Sequence, residues 1–199
     1  MLLELLQSRY SCRDFSSQAI PKEIISYMLQ CGRLSASGGN EQPWKFGVIT
    51  DTEIIAKISE AASVNYDQSW ITKAPLVVVL CAQLLDSIDE GIAMNRFPSL
   101  RDQICRMDKN LYAVVNMEEH QTKIPGEHMV LAALEHVVYS TWISSIDCEM
   151  VGKLIGAKGY LVTNVIAFGY PEQTKGATPK KELKDILFTN HFDNTGAIL

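Results

Sequence analysis

The stretch Pro75-Leu-Val-Val-Val-Leu-Cys-Ala82 is a continuous apolar run rich in β-branched residues. It is far shorter than the roughly 18 residues that cross a bilayer, so its length predicts a buried β-strand. A half-exposed strand alternates polar and apolar residues, whereas this run is apolar at every position. We therefore expect a strand that lies inside a sheet covered on both faces.

Helices and strands alternate along the chain on both sides of this strand. The apolar spacing and the turn residues predict two more strands, over Trp44 to Thr50 and over Val162 to Phe168. Helices are predicted over residues 1–8, from Pro21 to near Gly32, over Thr52 to Ala62 and over Met129 to Ile143, with a short one at Glu182 to Leu187. The long helix has an apolar face made of Met129, Leu131, Ala132, Leu134 and Val138. This order favours an α+β or layered α/β protein with helices on both sides of one sheet.

The chain has 199 residues and shows no internal repeat, low-complexity segment or linker. That length can bury a substantial core but is too short for two enzymatic domains, so we expect residues 1–199 to form one domain. Residues 86–126 give the weakest signal, because they are polar and Met-rich and contain no motif.

The composition excludes several classes of protein. With 47% hydrophobic and 21% charged residues, the chain is globular rather than disordered. Its net charge is -5 and its longest basic run is Lys180–Lys181, which argues against a nucleic-acid partner. No apolar run is long enough to predict a membrane span. Five widely spaced cysteines without a C-x-x-C pair, and an N-terminus without the basic region of a signal peptide, indicate a cytoplasmic protein.

The first polar stretch that could carry chemistry is Ser8-Arg-Tyr-Ser-Cys-Arg-Asp-Phe15. Its alternating polar side chains, which share one side of an extended segment, are Arg9, Ser11 and Arg13. Two guanidiniums that flank a hydroxyl suit a phosphate group or the polar edge of a heterocycle. The alternative is a solvated loop in which the arginines pair with Asp14 or Glu4.

The second polar stretch is Ser37-Gly-Gly-Asn-Glu-Gln-Pro-Trp44. Its glycines allow the backbone to approach a ligand closely, and Ser37, Asn40 and Gln42 offer neutral donors and acceptors. The pattern is not G-x-G-x-x-G and follows no strand, so it does not indicate a Rossmann dinucleotide site. The alternative is a structural turn between a helix and a strand.

The third stretch is Gly169-Tyr-Pro171, followed by Thr178-Pro-Lys-Lys181. By itself this basic pair is typical of a solvated helix start. Metal and serine-hydrolase chemistry find no support, because His128 and His136 are eight residues apart and neither H-E-x-x-H nor G-x-S-x-G occurs. We therefore expect no metal ion in the site.

Taken in order, four landmarks resemble the nitroreductase family of flavin enzymes. Arg9-Tyr-Ser-Cys-Arg-Asp-Phe15 matches the family pattern R-x-S-x-R-x-F. Ala36-Ser-Gly-Gly-Asn-Glu-Gln-Pro-Trp44 matches A-P-S-x-x-N-x-Q-P-W, with Ser35-Ala36 where alanine and proline are usual. The other two landmarks are Ala74-Pro-Leu-Val-Val-Val79, which matches the apolar strand, and Phe168-Gly-Tyr-Pro171 with Lys180-Lys-Glu-Leu183, which matches the closing G-Y-P and R-x-P-L.

The resemblance implies a mainly antiparallel sheet flanked by helices and an intertwined homodimer that binds FMN at two interface sites. By position in the motifs, Arg9 and Ser11 hold the ribityl and phosphate end, and Arg13 lies near the pyrimidine edge. Lys180 takes the place of the arginine that binds the phosphate in the family. The residues implied to come from the other subunit are Ser37, Asn40 and Gln42, and those whose backbone N–H faces flavin N5 are Ser144 and Ser145.

The activity implied by the resemblance is ping-pong hydride transfer from NAD(P)H through FMN to an electron-poor small molecule, such as a nitro compound or a quinone. The flavin carries the chemistry, so no side chain is expected to be catalytic. A guanidinium near N1 and the C2 oxygen favours hydride acceptance, because reduced flavin gathers negative charge there. The alternatives are a specialised relative, such as a reductive dehalogenase or an enoate-type reductase, and a flavin-binding protein without turnover.

The sequence departs from the family pattern in three places besides Ser35-Ala36. Lys180 replaces an arginine and offers a point charge instead of a planar fork. Glu182 stands where proline is common, and Tyr139 takes the place of a glycine before an expected turn at Thr141-Trp142. Residues 86–126 correspond to the variable segment that covers the substrate in the family.

Overall fold

The computed structural model describes residues 2–84, 98–108, 111–112 and 122–193. Their central feature is a four-stranded antiparallel sheet with the order β1-β2-β4-β3. The strands are β1 (Trp44–Ile49), β2 (Leu76–Gln83), β3 (Tyr139–Ile143) and β4 (Tyr160–Gly169). The helices are α1 (Leu2–Ser8), α2 (Lys22–Arg33), α3 (Thr52–Ala62), α4 (Arg101–Ile104), α5 (Lys123–Glu135) and α6 (Cys148–Ile155). Short 3-10 turns lie at Gly38–Asn40, Ser69–Lys73, Pro98–Leu100 and Leu183–Asp185.

Strand β2 is covered on both faces, as its continuous apolar sequence predicts. Seven of its eight residues are buried, and they divide alternately between two core clusters. Leu76 and Val78 pack with Met28 of α2 and Met129 of α5. Val77 and its alternate neighbours pack on the opposite face with α3 and α6. The sheet is thus the middle layer between two pairs of helices, which confirms the predicted fold class.

The long helix predicted over Met129 to Ile143 is wrong. Helix α5 ends at Glu135, the chain reverses through Val137 with a φ of 60°, and β3 begins at Tyr139. Both α5 and β3 are largely buried, so apolar residues continue across the boundary without a change of polarity. The aromatic and β-branched residues of β3 favour a strand. The expected turn at Thr141-Trp142 is therefore also wrong, because both residues pair with β4.

Helix α6 was not predicted, although local signals mark both its ends. The Asp147 carboxylate caps its N-terminus by accepting a hydrogen bond from the Met150 N–H at 2.8 Å. Gly156 ends it in the left-handed conformation with a φ of 68°. Helix α2 begins one residue later than expected, with Pro21 as its N-cap.

The segment at residues 86–126 lies partly outside the described residues. The described part contains the 3-10 turn Pro98–Leu100, α4 and the start of α5. No helix in the described ranges is both long enough and apolar enough to span a membrane.

Candidate functional site

The N-terminal segment that follows α1 lies along the free edge of β3. The backbone N–H of Cys12 donates to the carbonyl of Ser140 at 3.1 Å, and Ser11 forms a parallel bridge with the same residue. The Thr141 hydroxyl donates to the Cys12 carbonyl. This segment therefore extends the sheet at its β3 edge.

The side chains of this segment alternate between the core and the outside. The buried ones are Tyr10, Cys12 and Phe15. Burial raises the pKa of the Tyr10 phenol and of the Cys12 thiol, so both anchors stay neutral. The outward side chains are the half-buried Arg9 and the exposed Ser11 and Arg13. The structure thus presents the three predicted residues on one side of the segment. We refer to Arg9, Ser11 and Arg13 as the arginine row.

The 3-10 turn Ser69–Lys73 contacts the arginine row at Arg13. The Arg13 guanidinium lies 5.8 Å from the centre of the Trp70 ring, a cation–π contact. The Trp70 indole in turn donates to the Gln68 side chain at 2.7 Å. No motif in the sequence pointed to Trp70, because its contact with Arg13 arises only from the tertiary fold.

The arginines are not neutralised by the carboxylate that a solvated loop would place beside them. Asp14 forms its ion pair with Lys73 at 3.3 Å. Within the ranges that the structure describes, neither Arg9 nor Arg13 has a salt bridge. Their positive charge is therefore available to an external anion.

The chain after β4 returns to the same segment. The Ser16 N–H donates to the Tyr170 carbonyl at 2.8 Å, and the Glu172 N–H donates to the Asp14 carbonyl at 3.0 Å. Gly169 is required here, because a Cβ atom on it would lie 2.7 Å from the Phe15 ring. The Gly169-Tyr-Pro171 motif therefore seals the N-terminal segment against the end of β4.

Lys180 is the cation that the sequence motif assigns to the phosphate. Its side chain is exposed, and it forms no hydrogen bond or ion pair with the described part of the chain. Lys175, in the loop after β4, interacts electrostatically with the N-terminal segment. Its charge lowers the pKa of Cys12, although burial has the larger effect and raises that pKa. The sequence motif did not single out Lys175.

Ser144 and Ser145 directly follow β3, at the same edge of the sheet as the arginine row. Ser144 is four residues beyond Ser140, the partner of Ser11, so it lies about 13 Å along the strand from that pair. Both serines are at least partly accessible. The arginine row and these serines therefore lie along the same edge of the sheet.

The loop Ser37–Gln42 has an unusual backbone that holds its polar groups. Gly39, Asn40 and Gln42 have φ values of 55°, 58° and 51°, all in the left-handed region. The Gln42 N–H donates to the Ser37 hydroxyl at 3.0 Å, and the Gln42 side-chain amide donates to the Asn40 carbonyl at 3.2 Å. The loop leads through the buried Pro43 into β1.

This loop lies far from the arginine row of its own chain. Strand β1 and the N-terminal segment flank opposite edges of the sheet, about 19 Å apart across four strand spacings. Trp44 is level with Leu161 of β4, whereas Ser140 is level with Phe168, which adds about 23 Å along the strands. The two groups are thus separated by about 30 Å, and one mononucleotide cannot touch both within a single chain.

The fold and this geometry define an α+β protein with two arginines on the outward side of the segment along its β3 edge. The chain belongs to the nitroreductase family, whose model, described as "Nitroreductase family", matches residues 6–170. The match covers the N-terminal segment, the Ser37–Gln42 loop and the whole sheet. It confirms the resemblance seen in the sequence.

Individual relatives agree with this assignment. A protein of Archaeoglobus fulgidus, whose name places it among the NADH dehydrogenases and NAD(P)H nitroreductases, is 26% identical over 178 residues, 87% of each chain. The structure of an FMN-dependent nitroreductase from Clostridium difficile has the same fold, with a TM-score of 0.70 at 18% identity, and the match covers 96% of this chain and 99% of that one. A local match of 36% identity over 67 residues, 34% of this chain and 30% of its relative, joins it to an iodotyrosine deiodinase of Haliscomenobacter hydrossis.

Proposed function

We propose that this protein is an FMN-dependent oxidoreductase that transfers a hydride from NAD(P)H to an electron-poor small molecule. The observation that carries the proposal is the outward row of Arg9, Ser11 and Arg13, which has no internal carboxylate partner among the described residues. Two guanidiniums and a hydroxyl match the phosphate and the polar ring edge of FMN. Membership in the nitroreductase family supports the same reaction class.

The residues present fit FMN in kind and in position. Arg9 and Ser11 hold the phosphate and ribityl end, and Arg13 faces the pyrimidine edge. Backbone N–H groups of Ser144 and Ser145 reach toward N5 from the same edge of the sheet. Lys180 is assigned to the phosphate from the sequence motif alone, because its exposed side chain forms no hydrogen bond or ion pair with the described residues.

The protein acts as a homodimer in which each site is shared. The 30 Å separation supports this, because Ser37, Asn40 and Gln42 then complete the site of the partner chain. Large apolar side chains near both ends of the described chain are also exposed, as expected for a surface that a second copy covers. They are Leu2, Leu3, Leu6, Leu183, Ile186, Phe188 and Phe192.

When bound, FMN would supply the hydride-transfer chemistry between NAD(P)H and an electron-poor acceptor. The chain supplies binding and charge. Arg13 is held by Trp70 at the pyrimidine edge, where its charge favours the reduced state.

Two finer assignments accompany this function. None of the five cysteines, all of which the structure describes, forms a disulfide, which supports a reducing compartment such as the cytoplasm. Residues 1–199 are assigned to one domain, and the assignment of residues 86–126 as the substrate-covering segment lies partly outside the described residues.

A reductive dehalogenase is the second candidate function. The local match to an iodotyrosine deiodinase favours it over an enoate-type reductase and over a flavin-binding protein without turnover. Turnover of iodotyrosine with release of iodide, compared with turnover of a nitroarene and a quinone, distinguishes the two candidates.

The visible spectrum of the purified protein tests the proposal directly. A flavin spectrum that is bleached by anaerobic NADH or NADPH is expected. A flavin spectrum without bleaching identifies a binding protein without turnover, and a colourless protein that cannot be reconstituted with FMN refutes the proposal.

Thermal stability tests the phosphate assignment. A ligand at a hundredfold excess over its Kd stabilises the folded state by about 2.7 kcal/mol, so FMN should raise the Tm more than riboflavin, which lacks the phosphate. Arg9→Ala should abolish this difference. The control Lys57→Ala removes an exposed cation of α3, outside the assigned site, and should preserve it.

A further inference from the structure

A side-chain hydrogen bond ties the start of the Ser37–Gln42 loop to helix α5. The Ser35 hydroxyl and the Nδ1 atom of His128 are 2.7 Å apart, and the imidazole tautomer determines which of them donates. Ser35 is 5% exposed and follows the last turn of α2, whereas His128 lies on the exposed side of α5. The bond therefore joins α5 to the residue just beyond α2, at the point where the loop leaves the core.

The loop needs such an anchor because its backbone is costly to hold. Asn40 and Gln42 adopt left-handed conformations, which cost residues other than glycine about 1–2 kcal/mol each. Residues 38–42 are exposed, so core packing does not hold them. Pro43 and β1 fix the far end, and Ser35 is the last buried residue before the loop.

At the near end, the backbone of Ser35 is tied to α2, because the Ser35 N–H donates to the Gly32 carbonyl at 3.1 Å. Ala36 is exposed and stands where the family pattern has proline, whose ring would lock φ near −65°. Ala36 leaves that dihedral angle free. The contact between Ser35 and His128 supplies a constraint one residue earlier.

We propose that Ser35 and His128 are positioning residues that hold the Ser37–Gln42 loop in its binding geometry, in place of the proline missing at position 36. The inference rests on the proposed function, in which Ser37, Asn40 and Gln42 contact FMN. Neither Ser35 nor His128 is assigned a contact with the flavin. Their contact raises the fraction of loops that are competent to bind it.

The central test compares two hydrogen bonds to α5, one from Ser35 just beyond α2 and one from Tyr27 within α2. Ser35→Ala removes the contact at the loop, and Tyr27→Phe removes the bond from the Tyr27 hydroxyl to Glu135, which measures 2.6 Å and lies away from the loop. If the bond between Ser35 and His128 controls the fraction of loops that can bind FMN, its loss in Ser35→Ala should weaken FMN affinity about fivefold, the equivalent of one neutral hydrogen bond. Tyr27→Phe should bind FMN like the wild type.

Hydrogen exchange of the flavin-free protein measures the order of the loop in the absence of any ligand. The N–H groups of Asn40, Glu41 and Gln42 are hydrogen-bonded within the loop, so their exchange reports its order. Ser35→Ala should speed their exchange about fivefold, and Tyr27→Phe should not. His128→Gln changes the exposed partner and should reproduce the effect, with the double variant no worse than either single one.

Rescue by proline separates loop positioning from a general loss of stability. The Ala36 N–H donates to no acceptor in the described ranges and Ser35 lies outside α2, so proline at position 36 removes no hydrogen bond. Adding Ala36→Pro to Ser35→Ala should restore about two- to fivefold of both the affinity and the exchange protection.

Unchanged exchange in Ser35→Ala, or equal effects in Tyr27→Phe, would overturn the inference, as would failure of the proline to rescue. If the wild type binds no FMN, the proposed function fails, while the exchange data still decide whether Ser35 and His128 order the loop.

Discussion

Mixing two inactive variants tests whether each site is built from two chains. Arg9→Glu reverses a charge in the N-terminal segment, and Asn40→Asp adds a negative charge to the loop that lies about 30 Å away in the same chain. If the sites are shared, a mixed dimer has one site with both lesions and one site with neither. Random pairing makes about half of the dimers mixed, each with one good site of two, so the mixture should recover roughly a quarter of wild-type activity.

The assay is oxidation of NADH or NADPH with an electron-poor acceptor after the two variants are unfolded and refolded together with FMN. Each variant refolded alone is the control and should stay inactive. Native mass spectrometry measures the fraction of mixed dimers. An inactive mixture that contains mixed dimers would refute the reasoning, because both lesions would then affect the same site.

Three further predictions follow from individual contacts. Arg13→Gln should lower the two-electron midpoint potential of bound FMN by roughly 30–60 mV, the equivalent of one charge-assisted hydrogen bond, and an unchanged potential would limit Arg13 to binding. Gly126→Ala places a Cβ atom into the Trp142 ring and should lower the free energy of unfolding in urea by about 1–3 kcal/mol. Burial raises the pKa of Cys81 to about 11, so the native protein at pH 8 should be alkylated at the exposed Cys105 and not at Cys81, where labelling would indicate local opening.

Much of the fold could be predicted because its signals are local. The apolar run at β2 indicates a two-sided strand, and α3 begins and ends where its apolar spacing does. The boundary between α5 and β3 could not be read in this way. Both elements are buried, so hydrophobicity alone does not separate a period of 3.6 from a period of 2.

The candidate site divides along the same line. The alternation of Arg9, Ser11 and Arg13 is visible in the sequence, and an extended backbone is enough to place them on one side. The contact of Trp70 with Arg13, and that of His128 with Ser35, join residues distant in the sequence. No local pattern encodes such pairs.

The sequence by itself determined the family, the central strand and the two polar groups, since each depends on residue types at short spacing. Only the tertiary structure decided that these groups flank opposite edges of one sheet, because the strand order β1-β2-β4-β3 arises from pairing between distant segments. The same pairing places β3, with Ser144 and Ser145 at its end, beside the arginine row. Strand order depends on which buried faces and edges fit together across the whole chain, and short-range spacing carries no record of that choice.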